Sequence, residues 1–173
     1  MTSNGDALRL FLALWPGPAA RTALAVASAR WRWPPRAAAV PIERLHLTLH
    51  YIGAWPRARL AEATRALEVR FEPFTLVFGR DELWSHGIAA LVPEHAPPRL
   101  LALHGALGNA LRELGIEPEA RPFRPHVTLA RRAGGAAPPS PLDARWRWPV
   151  RGYALVESAS RPGSTYRVLQ RYR

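Results

Sequence analysis

Apolar residues fall into short runs along the chain, with either strand or helix spacing. Leu8 to Trp15 (LRLFLALW) is short, apolar and stopped by Pro16-Gly17, which predicts a strand. Pro18 to Arg32 places a proline in a first turn ahead of an alanine-rich body, which predicts a helix. Trp33 to Pro41 is proline-rich and reads as a loop. Leu45 to Gly53 (LHLTLHYIG) alternates strictly up to Tyr51, predicting a second strand. Arg57 to Arg70 gathers Leu60, Ala63, Ala66 and Leu67 on one side, a helical pattern. Phe74 to Arg80 and Leu83 to Val92 read as strands, the second interrupted at Ser85–Gly87. Pro97 to Leu114 predicts a third helix, stopped by Gly115. Pro125 to Arg131 predicts a strand, Arg132 to Pro141 a loop, and Arg151–Glu157 and Thr165–Tyr172 two closing strands. This order predicts an α+β fold of two largely antiparallel sheets flanked by helices. No linker is long enough to separate independent domains, so residues 1–173 read as one domain, with room for two lobes.

Composition narrows the chemistry. At 173 residues and 48% hydrophobic, the chain can bury a sizeable core, and disorder is not expected. The absence of cysteine removes disulfides, thiolate metal sites and cysteine nucleophiles, and fits a reducing compartment. All 24 basic residues are arginine; against 13 acids they leave a net charge of +11. Such a surface favours polyanions: RNA, DNA or anionic lipid. Abundant alanine and proline beside absent lysine also fit arginine codons of a GC-rich genome, so charge alone is a weak guide. Without lysine there is no Schiff base and no phosphate-loop lysine. No run reaches the roughly 18 apolar residues of a membrane span. The segment before Leu8 has no basic region typical of a signal peptide, so a cytoplasmic protein without membrane contact is expected.

One tetrapeptide pattern occurs twice. His46-Leu47-Thr48-Leu49 and His126-Val127-Thr128-Leu129 share the form His-apolar-Thr-apolar and lie 80 residues apart (126 − 46). On a strand, each presents an imidazole and a hydroxyl on one face, with two apolar residues below as an anchor. If the two strands faced one groove, it would hold two imidazoles and two hydroxyls. That set suits in-line displacement at phosphorus: one neutral imidazole takes a proton from the attacking oxygen, and one protonated imidazole gives a proton to the departing oxygen. Hydroxyls and an arginine could stabilise charge on the non-bridging oxygens. A single copy would carry little information, because histidines on strands are commonly structural. Two copies in separate halves carry more. A metal site is disfavoured: neither copy has a His-x-His or Glu-x-x-His companion, and Glu43 is the nearby acid.

Other residues keep two readings. His50 shares the face of His46 and Thr48 under strict alternation, as a groove-edge contact or a packing residue. His86, His95 and His104 show no partner pattern. Trp31-Arg32-Trp33-Pro34 recurs as Trp146-Arg147-Trp148-Pro149, either to stack bases and pair phosphates or as core tryptophans with outward arginines. Tyr51 and Phe11 are candidate platforms for a terminal base and equally candidate core residues. Pro122 and Pro125 hold Arg121 and Arg124 extended, aiming the chain into the His126 strand.

The sequence resembles the two-histidine phosphoesterase superfamily, and within it the RNA 2',3'-cyclic phosphodiesterases, also called 2'-5' RNA ligases. The likeness runs almost end to end: Arg9-Leu10-Phe11-Leu12-Ala13-Leu14, then Leu45 to Gly53, then Arg121 to Arg131 (RPFRPHVTLAR) as the most specific segment, then Val156-Glu157-Ser158 with Gly163 and Tyr166. The prolines within Trp31 to Arg44, and His50, depart from the pattern. The resemblance implies a bilobal fold with a central groove carrying both motif strands. It also implies opening of an RNA 2',3'-cyclic phosphate to a 2'-phosphate, without cofactor, with 2'-5' joining as the reverse reaction. His46 would then protonate the leaving 3' oxygen and His126 would activate water. Thr48 and Thr128 would hold the phosphate oxygens, and Arg131, Tyr51 and Phe11 would bind substrate. Strict alternation turns Arg131 away from His126, so its role requires a bulge or a strand end. The implied partner is RNA with a cyclic end, tRNA fragments among the candidates, acted on by a monomer. The rival readings are a 2'-5' phosphodiesterase on oligonucleotides, an enzyme for another cyclic nucleotide, and a non-catalytic RNA-binding module.

Overall fold

The computed structural model describes residues 7–139, 145–158 and 165–173. Gly163, cited in the resemblance above, lies outside them. The strands are β1 (Ala7–Leu14), β2 (Ala38–Ala39), β3 (Leu47–Pro56), β4 (Phe74–Trp84), β5 (Ile88–Pro93), β6 (Val127–Arg131), β7 (Trp146–Val150), β8 (Tyr153–Glu157) and β9 (Arg167–Tyr172). The helices are α1 (Pro18–Ala29), α2 (Leu60–Ala66) and α3 (Pro98–Glu113). The fold is α+β, and every strand pairing among the described residues is antiparallel. The strands run β7-β4-β5-β6-β3-β1-β8-β9, with β2 added beside β6. Two groups of strands, β3-β1-β8-β9 and β6-β5-β4-β7, meet through the single pair Leu47–Val127. Each group owns one motif strand, and the motifs meet at the seam.

β1 shows why the helices lie on one face and the groove on the other. Its Leu8, Leu10, Leu12 and Leu14 enter a core shared with Leu24 of α1, Ala63 of α2 and Leu100, Leu103, Leu107 and Leu111 of α3. Its Phe11 and Ala13 point the opposite way and pack with Ala154 and Val156. The second, smaller cluster is the floor beneath the motif residues. From Leu10 to Leu14 both faces of β1 are therefore apolar, while Arg9 stays exposed.

Some elements differ from the sequence expectation for identifiable reasons. The helix expected over Arg57–Arg70 is a 3-10 turn (Arg57–Arg59) followed by the short α2. Its continuation is replaced by the Tyr153 hydroxyl, which donates to the Leu67 carbonyl at 2.9 Å and accepts from the Val69 N–H at 2.8 Å. β7 was hidden by Pro149. It is an edge strand, where a missing N–H is tolerated. β7 also resolves the paired Trp-Arg-Trp segments toward the core reading. Trp148 is buried and Trp146 stacks on Phe78 at 4.8 Å, while Arg147 points outward. Trp31 is likewise buried, stacks on Trp33 and donates its indole N–H to Asp81 at 2.8 Å.

Candidate active site

Antiparallel pairing of Leu47 with Val127 sets Thr48 beside His126 and His46 beside Thr128. Leu47, Leu49, Val127 and Leu129 are buried on the helix side, so the polar partners face the groove. All four line one cavity of about 90 Å³, together with Val40, Arg44, Arg131 and Tyr166.

The two imidazoles are held alike. The His46 Nδ1 lies 2.6 Å from the Arg44 carbonyl, and the His126 Nδ1 lies 2.7 Å from the Arg124 carbonyl. A carbonyl only accepts, so each Nδ1 carries its proton and each Nε2 is left to exchange one. In the neutral ring, His46 Nε2 accepts from the Thr48 hydroxyl at 3.1 Å. Aromatic neighbours fix the ring planes. His46 packs against Phe11 at 4.8 Å, Trp15 at 5.6 Å and Tyr166 at 5.7 Å. His126 meets the edge of Trp84 at 4.6 Å. Glu82 accepts from the Trp84 indole at 2.6 Å and also pairs with Arg124, whose guanidinium lies over the Trp84 ring.

A β-bulge recurs at the same place in both motif strands. Against β1, Thr48 pairs with Ala13 and His50 with Leu12, skipping Leu49. Against β5, Thr128 pairs with Ala90 and Ala130 with Ala89, skipping Leu129. An extra residue inverts the phase of a strand, so the position five past each histidine returns to the groove face. Those residues are Tyr51 and Arg131. This supplies the bulge that Arg131 needed, and Arg131 lines the cavity. The same bulge corrects the expectation for His50. It does not share the face of His46 but turns under the sheet, 6% exposed, and meets the His104 carbonyl at 2.8 Å, bordering a larger cavity beside Thr48 and His126. His104 does have partners: its ring is stacked between His50 at 4.0 Å and Phe123 at 3.9 Å. Phe11 is a correction too. It is 5% exposed beneath His46, a support for the imidazole rather than a platform for a base. Tyr51 is 52% exposed, and its hydroxyl accepts from Arg9 at 2.7 Å. It borders a second cavity of about 440 Å³ that shares Thr48 and His126 with the first. Trp15 and Trp84 belong to no motif in the sequence; their position at strand ends is the signal they carry.

Burial dominates the electrostatics. It pushes His46 down to about 4, opposed by the bond to the Arg44 carbonyl and assisted by His126, Arg131 and Arg21. His126 is lowered by burial, opposed by the Arg124 carbonyl and assisted by Arg124 and Arg131. His104 is pushed down to about 4, and His50 is lowered, both chiefly by burial. Four histidines thus bind protons less readily folded than unfolded. Between the folded and unfolded values the unfolded chain binds more protons, so stability is full above about pH 6.5 and is lost as pH falls. Asp81, raised by burial, acts in the opposite sense, one group against four. The melting temperature is therefore expected to fall between pH 7 and pH 5; an unchanged or higher value by scanning calorimetry would contradict this.

Comparisons with known proteins identify the family. The model of the 2'-5' RNA ligase superfamily matches residues 18–160. The RNA 2',3'-cyclic phosphodiesterase of Thermus thermophilus is 33% identical, over 95% of this chain and 89% of that protein. The enzyme of the same name from Escherichia coli K12 is 31% identical, over 82% of this chain and 85% of its own. The crystal structure of E. coli LigT complexed with phosphate superimposes with a TM-score of 0.81 at 25% identity, covering 97% of this chain and 98% of that one. A likeness that spans both motif strands and the seam between them places the chain in the 2'-5' RNA ligase superfamily, to which it belongs.

Proposed function

We propose that this chain is an RNA 2',3'-cyclic phosphodiesterase that opens the terminal cyclic phosphate to a 2'-phosphate by acid/base catalysis between His46 and His126. The observation that carries this reading is two Nδ1-anchored imidazoles at one cavity with two hydroxyls and an arginine. The names of the curated relatives support it, as does the phosphate complex of a structural neighbour.

Water attacks phosphorus while His126 Nε2 takes its proton. The bond from phosphorus to the 3' oxygen breaks, and His46 Nε2–H supplies the proton that makes the 3'-hydroxyl. The bond to the 2' oxygen stays, so the product is a 2'-monoester and one water is consumed. Thr48 and Thr128 donate to the non-bridging oxygens, and Arg131 offsets their charge. His46 ends neutral and His126 protonated; exchange with solvent restores them. A 5'-hydroxyl in place of water gives a 2'-5' linkage through the same steps. The larger cavity receives the terminal nucleoside, with Tyr51 at its wall. The chain works as a single bilobal monomer on RNA ends in the cytoplasm, tRNA fragments among them. Among the described residues no helix is long and apolar enough to cross a membrane.

Purified protein incubated in EDTA with adenosine 2',3'-cyclic phosphate should yield 2'-AMP. A 3'-AMP product, or no turnover, would overturn the assignment. The pH profile follows from the lowered histidines. Productive encounter needs one imidazole protonated and one neutral, so kcat/KM is lost above the higher of the pair's two apparent values. Burial holds both groups below the ordinary 6.5 in the free protein. The kcat/KM optimum for a cyclic mononucleotide should therefore lie on the acid side of pH 6.5, with substrate charge raising the acid once bound. An optimum above pH 7.5 would contradict it.

A further inference from the structure

A third concavity, lined by arginines, borders Trp15. It has a volume of about 260 Å³ and is bordered by Trp15, Arg151, Gly152, Arg171 and Arg173. Trp15 links this cleft to the His46 site: it borders the cleft, and its ring stacks on the His46 imidazole at 5.6 Å with an interplanar angle of 19°. The arginines come from separate elements. Arg151 sits in the two-residue link between β7 and β8, Arg171 on β9 and Arg173 just beyond it.

What brings them together is a glycine. A Cβ at Gly152 would stand 2.2 Å from the Tyr172 carbonyl oxygen. The β7–β8 link can therefore lie directly on the end of β9 only with no side chain there. Arg21, whose guanidinium lies 5.6 Å from the centre of the Trp15 ring, is lowered by burial, against the opposing pull of Glu43, and lowered further by the positive charge of Arg171. Many arginines elsewhere on the surface have acidic partners: Arg59 with Glu62, Arg80 with Glu82, Arg145 with Glu94, Arg167 with Glu157. Arg151, Arg171 and Arg173 have no ion-pair partner among the described residues. Converged like charges without counter-ions are stabilised by an external polyanion, and guanidinium groups suit phosphodiesters.

We propose that this cleft binds the sugar-phosphate backbone of the RNA body, the nucleotides 5' to the cyclic end held at His46. The proposal rests on the cyclic phosphodiesterase reading and adds to it a phosphate-binding track outside the catalytic cavity. RNA is the occupant the observations favour, since the polyanion must be continuous with a substrate held one tryptophan ring away.

The test is the double variant R151Q/R171Q, both positions being exposed. Two substrates are compared with wild type: a 2',3'-cyclic mononucleotide, too short to reach the cleft, and a decaribonucleotide with a 2',3'-cyclic end. The variant should keep mononucleotide kcat/KM within about twofold and lose about tenfold or more on the decamer, since phosphate contacts supply backbone affinity. Its binding of the same decamer with a 3'-hydroxyl end, by fluorescence anisotropy, should show a log-log salt slope shallower by about 1.4, for two contacts at roughly 0.7 each on a single strand. Equal losses on both substrates, or an unchanged decamer constant and salt slope, would overturn the cleft. Failure of the wild type to turn over the mononucleotide would instead overturn the catalytic reading, and the anisotropy arm would still decide the cleft. If R151Q/R171Q melts early, R171Q alone should show half the change in slope, and no change would count against the proposal.

Discussion

Replacing His46 or His126 with alanine is expected to lower kcat/KM on a 2',3'-cyclic nucleotide by about 10²–10⁴-fold each, the range of a positioned proton donor or acceptor. The loss should fall on kcat, because the imidazoles act on oxygens whose bonds to phosphorus or hydrogen change only during reaction. The fold should survive. Each imidazole's fixed bond runs to a carbonyl two residues back in its own segment, not to a distant element. The double variant separates a coupled pair from two independent contributors. Groups that act as a unit lose little more together than singly, so H46A/H126A should resemble the worse single variant. Multiplying losses in the double variant would show that the two histidines serve different events.

The second large effect belongs to the hydroxyls. Thr48→Val and Thr128→Val keep the branched shape of the side chain and remove the donor. Each should lower kcat by about 10²–10³-fold, about 2.7–4 kcal/mol, the cost of losing an oriented donor to developing oxyanion charge. The two need not be equal. Thr48 also bonds His46 Nε2, so its removal frees the acid's exchanging nitrogen as well as a phosphate contact. Thr48→Val should therefore move the pH profile, whereas Thr128→Val should lower its height. Matching profiles for the two variants would show that the bond from Thr48 to His46 plays no part.

The fold class and the four motif residues were legible because they rest on short-range pattern. Alternation around Leu47 and Val127 fixes which side faces the core, and the same four-residue form appears on both strands. What escaped was non-local. The bulges at Leu49 and Leu129 arise in pairing with β1 and β5, so no reading of β3 or β6 alone shows that Tyr51 and Arg131 return to the groove. His50 and His104 come together only when α3 packs on β3. The early end of α2 depends on Tyr153, more than eighty residues away. Trp84 meets His126 through Glu82 and Arg124, a contact between β4 and the segment before β6. In each case tertiary partners overrode a local pattern that was itself sound.

The central claim is that both imidazoles address one phosphorus atom. It is tested most directly by a crystal structure with a nucleoside 2',3'-cyclic vanadate, whose five-coordinate vanadium takes the place of phosphorus in the transition state. The account predicts vanadium in the cavity between β3 and β6, with His46 Nε2 and His126 Nε2 each within hydrogen-bond distance of opposite apical oxygens and the Thr48 and Thr128 hydroxyls on equatorial ones. Vanadium touched by one histidine alone, or bound outside that cavity, would contradict it.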